Sequence, residues 1–306
     1  MEARRPFLFG NIGYLIFIDL LHLSNTFVMK RVLLPVLLFS AMSGCKHERE
    51  LNQDELQVPS AGYSTPENYS GMKMVWRDEF EGDNLNLSDW KHEIGGNGWG
   101  NNELEYYQEK NTTVHDGYLI ITAKQENVGG KNYTSSRIMT LGKKEFQYGR
   151  VDIRALMPKG QGIWPALWML GSNVSTVGWP GCGEIDIMEM IGGPGKDNTV
   201  HGTAHWDHAG GHASYGGKLS LDPPEILADE FHVFSIVWTP TAITWYIDDI
   251  QFEVIDTTPS ELSELQNKFY FIFNVAVGGN WPGNPDPTTT FPQRMVVDYI
   301  RVFQNN

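Results

Sequence analysis

Cysteine is nearly missing from this chain: its 306 residues hold only Cys45 and Cys182. A disulfide framework is thereby excluded, and stability has to come from a packed apolar core. Lys and Arg are sparse too, 23 against 37 Asp and Glu, for a net charge of −14. A surface of that sign repels phosphate backbones, so no nucleic acid is expected as a partner. No combined His and Cys spacing supports a zinc site, since only Cys45 and Cys182 exist. No apolar run is long enough to cross a bilayer as a helix, and no internal repeat is visible. Aromatic residues, by contrast, are plentiful at 12%, with 10 Trp. Trp planes suit the C–H faces of sugar rings, although about half of them are expected to fill the core instead.

The first 45 residues do not read as part of a fold. Leu15 to Leu23 is apolar but interrupted by Asp19 and His22. A second start lies at Met29-Lys30-Arg31, followed by the short apolar stretch Val32 to Phe39 and then Ala41-Met42-Ser43-Gly44-Cys45. A basic start, a short apolar stretch and small residues before a cysteine resemble a bacterial lipoprotein leader, with Met42 where Leu is usual. Met29 is therefore expected as the start and Cys45 as the lipidated first residue, on a bacterial envelope or surface. The alternative is an ordinary cleaved signal peptide and a secreted protein. Residues 46–70 are polar, with Pro59 and Pro66, and read as a flexible tether. Residues 71–306 then form the folded domain, expected to act as a monomer and to meet a membrane only through the lipid at Cys45. Cys182 precedes Glu184 by two residues, but no Cys–His motif accompanies it, and a small packed side chain is expected.

From Val75 onward, short apolar runs alternate with Gly, Asn and Asp turns, the pattern of an antiparallel sandwich. The runs are Tyr118–Ala123, Tyr148–Leu156, Gly162–Leu170, Glu184–Ile191, Phe231–Thr239, Thr244–Asp248, Phe269–Val277 and Met295–Phe303. In Tyr148–Leu156, Arg150, Asp152 and Arg154 alternate with Val151, Ile153 and Ala155, which predicts one wet face. Ser260–Asn267 is the single helix expected, capped by Ser260. The architecture that fits is all-β: a jelly-roll sandwich of two curved antiparallel sheets with a concave substrate cleft.

One stretch concentrates chemistry. Glu184-Ile185-Asp186-Ile187-Met188-Glu189 places three carboxylates among residues that favour a buried strand. Alternation puts Glu184 and Asp186 on one face. Glu189 joins them only if one residue near Ile187–Met188 is extra to the ladder, a β-bulge of the kind common beside active sites. Carboxylates cost desolvation and repel one another, so their clustering calls for a use. Retaining glycoside hydrolysis is such a use: one carboxylate attacks the sugar and another protonates the leaving oxygen. The bland alternative is an edge strand with ordinary surface acids.

This hexapeptide resembles the Glu-x-Asp-x-x-Glu signature of glycoside hydrolase family 16 in its β-bulge form. Supporting motifs are Trp99-Gly100-Asn101-Asn102-Glu103, Gly162 to Leu170, His201-Gly202-Thr203-Ala204-His205-Trp206 and Asn274 to Gly283. Together, from about Val75 to Phe303, they resemble bacterial laminarinases, which are endo-β-1,3-glucanases. The resemblance implies Glu184 as nucleophile and Glu189 as general acid/base, with Asp186 between them to tune a pKa or share a proton. The acid has to stay protonated near neutral pH, so Glu189 is expected to have a raised pKa. His205 is placed to bond Glu189 or the leaving sugar, or else a loop carbonyl.

Trp164 and Trp168 share a strand face, as a sugar platform or a core stack; the family pattern puts both near the subsites. Arg137 matches a sugar-contacting Arg, or is a surface residue. Asn101 and Glu103 could bond sugar hydroxyls or only cap their turn, and Trp281 is a rigid loop aromatic suited to outer stacking. The resemblance implies no cofactor for catalysis but a structural calcium far from the cleft, with Glu79, Gly117 and Asp298 at the matching positions. The expected activity is endo-acting, retaining hydrolysis of β-1,3-glucan. Mixed-linkage glucan or a marine galactan is the rival substrate, a non-catalytic glucan-binding module the rival class, and transglycosylation a further outcome of the same intermediate.

Overall fold

The computed structural model describes residues 58–306, and the leader assigned to residues 1–45 lies outside them. In chain order the strands are β1 (Met72–Asp78), β2 (Lys91–Glu93), β3 (Glu105–Tyr107), β4 (Thr112–His115), β5 (Tyr118–Ala123) and β6 (Tyr133–Ser135). Next come β7 (Arg137–Met139), β8 (Gly149–Leu156), β9 (Ile163–Gly171), β10 (Glu184–Glu189), β11 (Thr199–His208) and β12 (Gly211–Ser220). The last are β13 (His232–Trp238), β14 (Ala242–Ile247), β15 (Ile250–Asp256), β16 (Phe269–Val277) and β17 (Gln293–Asn305). One sheet runs β15-β14-β13-β8-β17-β5-β4, with β1 also on β17; the other runs β12-β11-β10-β9-β16-β7-β2. Both are antiparallel, and β3 pairs with β6 in a small parallel ribbon. This is the sandwich the alternating runs imply.

The sheets join through their inward faces. Ile153 of β8, Ile300 and Val302 of β17, Ile185 of β10 and Phe271 and Phe273 of β16 are all fully buried. Each such side chain contributes about 1.5–3 kcal/mol relative to exposure. Trp76 of β1 stacks on Phe271 at 5.8 Å, and Trp90 packs on Phe273 at 5.1 Å, tying the entry segment to the opposite sheet. Five tryptophans are buried, namely Trp76, Trp90, Trp206, Trp238 and Trp245. Half of the ten thus remain for the surface.

Three sequence expectations are corrected. The outer face of β8 is not wet: Asp152 is fully buried and accepts hydrogen bonds from Ser235 at 2.7 Å, Tyr69 at 2.7 Å and Arg150 at 2.7 Å. The cover comes from residues 58–71. Residues 46–57 lie outside the described ones, but the rest of the expected tether is strapped across the sheet. Tyr63 N–H donates to the Phe231 carbonyl at 2.9 Å, Arg154 Nε to the Tyr63 carbonyl at 2.6 Å, and Thr65 N–H to Tyr299 Oη at 2.9 Å. A polar segment docks here because arginines of the sheet capture its carbonyls. The Ser260–Gln266 segment is a kinked 3-10 helix that begins at Pro259 without a side-chain cap, so Ser260 does not cap it. A short α-helical turn at Val174–Val177 was not anticipated.

Candidate active site

β10 supplies the site, and a bulge shapes it. Against β9, Asp186 pairs with Trp168 and Met188 with Leu167, so Ile187 is extra to the ladder. Against β11 the register shifts between Asp186, opposite Thr203, and Glu189, opposite His201. Ile187 and Met188 both bury completely, and Glu189 thereby returns to the face of Glu184 and Asp186. A bulge breaks the regular ladder pattern around it. Here Trp245 Nε1, reaching from β14 of the opposite sheet, donates to the Asp186 carbonyl at 2.8 Å. The indole fits because residue 202 is Gly: a Cβ there would lie 2.4 Å from the ring.

On the outer face, Asp186 Oδ2 meets His205 Nε2 at 2.9 Å, and Glu184 Oε1 lies 3.7 Å from the same nitrogen. His205 therefore serves Asp186 and Glu184 and not Glu189 or a loop carbonyl; its other nitrogen meets His212 Nε2 at 2.8 Å. Glu189 Oε1 accepts from Trp164 Nε1 at 3.0 Å. Trp281, 41% exposed, stands edge-on to Trp164 at 5.6 Å and to His201 at 5.0 Å. Toward β2, the Arg137 guanidinium lies between Trp99 at 4.9 Å and Trp168 at 4.8 Å, with Glu93 on its Nε. Trp164 and Trp168 thus line the site and are not core. On the far side, Trp179 is half-exposed and packs over His212 at 4.7 Å.

Asn101 and Glu103 behave differently from one another. Asn101 stays on the loop, while Glu103 is buried beneath it and accepts from Asn101 Nδ2 at 3.3 Å and Tyr107 Oη at 2.9 Å. Its carboxylate holds the loop and is not presented to an open groove. Sequence reading passed over Trp99, His201, His212 and Trp179 as site residues. His201 and His205 sit four apart on one strand, so alternation puts both on the same face and could have found His201. His212 and Trp179 belong to segments without a periodic signal.

Burial raises all three carboxyls. Burial pushes Glu189 from an ordinary 4.5 to about 8, with Asp186 adding to the rise while the Trp164 hydrogen bond and His205 oppose it. Burial, then the neighbouring Asp186, raises Glu184 as well, and burial raises Asp186. Like charges this close cannot all ionise, so the cluster holds protons near neutrality. Cys182 is buried and pushed up to about 11, first by burial and then by the charge of Glu184, as suits an inert packed thiol.

Among the described residues, single ligand atoms of Glu184, Asp186 and His205 lie within 4.8 Å of one another, a donor set able to hold a cation. The residues expected to bind calcium are otherwise engaged. Glu79 receives both arms of the Arg301 fork at 2.8 Å each, and Asp298 receives Arg154 Nη1 at 2.7 Å. Gly117 sits in the tight turn between β4 and β5. As placed, these carboxylates do not fit a calcium site, since the ion would have to displace both guanidinium groups.

A jelly-roll sheet with paired carboxylates on a bulged strand, flanked by outward-facing tryptophans, defines a carbohydrate-cleaving enzyme. Residues 100–301 match the family model described as glycosyl hydrolases family 16. The catalytic domain of an endo-1,3-beta-glucanase (laminarinase) from Thermotoga petrophila RKU-1 is 46% identical, with a TM-score of 0.72 over 77% of this chain and 98% of that one. A beta-glucanase from Rhodothermus marinus is 41% identical over 76% of this chain and 85% of its own length. The alpha subunit of clotting factor G from Tachypleus tridentatus is 38% identical over 76% of this chain, which spans 34% of that longer protein. The chain belongs to glycosyl hydrolase family 16.

Proposed function

We propose that the protein is an endo-acting, retaining β-1,3-glucanase. The observation that carries the reading is the bulge at Ile187, which sets Glu184, Asp186 and Glu189 on one face. The named activity of the Thermotoga relative supports the β-1,3 linkage. In the first step the Glu184 carboxylate attacks the anomeric carbon while Glu189 gives its proton to the departing glycosidic oxygen. A glycosyl ester on Glu184 results. Glu189, now ionised, takes a proton from water as the water attacks that carbon, and Glu184 leaves as carboxylate, with the anomeric configuration retained. Asp186, bonded to His205, lies beside Glu184 and shares in the cluster's protons, so that it tunes the charge on the nucleophile. The presence of both glutamates argues against a binding module.

Incubation with laminarin should release reducing ends, and proton NMR of the earliest products should show the β-anomer. Glu184→Gln, nearly isosteric, should lower kcat by roughly a thousandfold while leaving the fold intact. A folded Glu184→Gln enzyme with near-normal turnover, or an inverted product, refutes the assignment. Agarose, lichenan and carrageenan in the same assay decide between substrates. For location, the proposal is lipid anchorage at Cys45 on a bacterial envelope, motivated by the leader pattern. Labelled fatty acid should enter the wild type and not Cys45→Ala; a wild type that stays unlabelled is a secreted protein.

A further inference from the structure

Behind the Trp99–Arg137–Trp168 wall lies a polar chain that the catalytic steps do not use. Trp168 Nε1 donates to Asn274 Oδ1 at 2.8 Å, Asn274 Nδ2 to Tyr107 Oη at 3.2 Å, and Tyr107 Oη to Glu103 Oε2 at 2.9 Å. Glu103 is 4% exposed, and Asn274, Tyr107 and Glu105 are buried around it. Glu105 follows on β3, and its Oε2 accepts from Val277 N–H at 2.7 Å. Its Oε1 is buried and finds no donor. A buried acceptor left unpaired loses its bonds to water and gains none in return. The group beside it is the Glu103 carboxyl, itself an acceptor while ionised. One proton on Glu105 resolves the conflict, because it turns the orphan oxygen into a donor to Glu103.

The same pair fastens both loops at this end of the site. Glu103 bonds Asn101, whose carbonyl accepts from Asn280 N–H at 2.8 Å, and Leu104 N–H donates to the Val277 carbonyl at 2.8 Å. Asn280 precedes Trp281, and Gly279 between the loops could not carry a Cβ without crowding the Asn101 carbonyl at 3.1 Å. The pair thus connects Trp168 on the floor with Trp281 on the opposite wall.

We propose that Glu103 and Glu105 share one proton and that this pair is a positioning device for the glucan-binding walls, holding Trp168 and the Trp281 loop in register without touching substrate. The proposal rests on the glucanase reading for its kinetic readout. The groups facing the pair are Tyr107 of β3, Lys131, whose Nζ donates to the Glu103 carbonyl at 2.8 Å, and Arg137 of β7 with its partner Glu93 of β2. Burial, followed by the Glu103 charge, raises Glu105 well above the usual carboxylate range, which agrees with a retained proton.

Infrared difference spectra and steady-state kinetics test this together. Glu105→Gln keeps a donor for Glu103 and an acceptor for Val277 N–H. It should remove one protonated-carboxyl C=O band at neutral pH and keep KM for laminarin within about twofold. Glu105→Leu removes both groups and should raise KM about tenfold with kcat changed less than about threefold, since the catalytic carboxylates are untouched. If Glu105→Leu does not fold, the Gln variant's missing band still decides. No band lost in Glu105→Gln, or a tenfold KM rise in that conservative variant, overturns the proposal. The infrared result stands even if the substrate proves to be a different polysaccharide.

Discussion

Glu189 couples activity to stability through its proton. In the folded chain it keeps that proton up to about pH 8, whereas in the unfolded chain it loses it near its ordinary 4.5. Between those values the native state binds more protons, so stability falls as pH rises through the window and the full penalty is present above it. Glu189→Gln carries no such charge. The variant should unfold at the same temperature as wild type near pH 4 and higher at pH 8, by about 1–3 kcal/mol; thermal denaturation across that range checks it. An unchanged gap at all pH values would show that the carboxyl is not held protonated. The same titration sets the alkaline limb of kcat, because an ionised Glu189 cannot protonate the leaving oxygen. The clustering at this centre was readable in the chain, since three acids among residues that favour a buried strand cost desolvation and call for a use. The burial that hides Glu103 under its loop was not, because a Gly-rich loop gives no periodicity from which to infer a face.

The bulged strand is held from behind as much as from its neighbours. Trp245 crosses the core to bond the Asp186 carbonyl, and the space it uses exists because residue 202 has no side chain. Gly202→Ala should therefore push the indole away and leave that carbonyl unpaired. The expected cost is about 2–4 kcal/mol of stability, with kcat reduced well below wild type as Asp186 and Glu189 lose their alignment. Urea unfolding and laminarin kinetics measure both, and a variant unchanged in both would show the indole is dispensable. The need for a bulge could be deduced from the spacing of Glu184, Asp186 and Glu189, and β5 and β16 match their predicted limits residue for residue. Strand β12 was missed, because it is rich in Gly and Ser and largely exposed. A pattern set by burial cannot appear where little is buried.

At the scale of the whole molecule, residues 58–71 belong to the fold. Tyr69 covers Asp152, and Thr65 bonds Tyr299. A chain beginning at Gly71 should lose about 2–4 kcal/mol, since Asp152 and Arg154 lose partners inside a face built to be covered. A truncated protein that melts with the full chain would return this segment to the status of a tether. Composition could not disclose the docking, because the ligands for the segment's carbonyls lie some 90 and 235 residues away, at Arg154 and Arg301. The order of the cleft sheet carries one more consequence. Strands lie about 4.8 Å apart, so seven of them span roughly 29 Å. The cutting strand is third from one edge, with two strands on the β12 side and four toward β2. A polymer laid across the sheet is therefore gripped unevenly, by a long arm and a short one. Such a ruler, marked off centre, should favour long chains over fragments, an expectation that kcat/KM measured on oligosaccharides of increasing length would check.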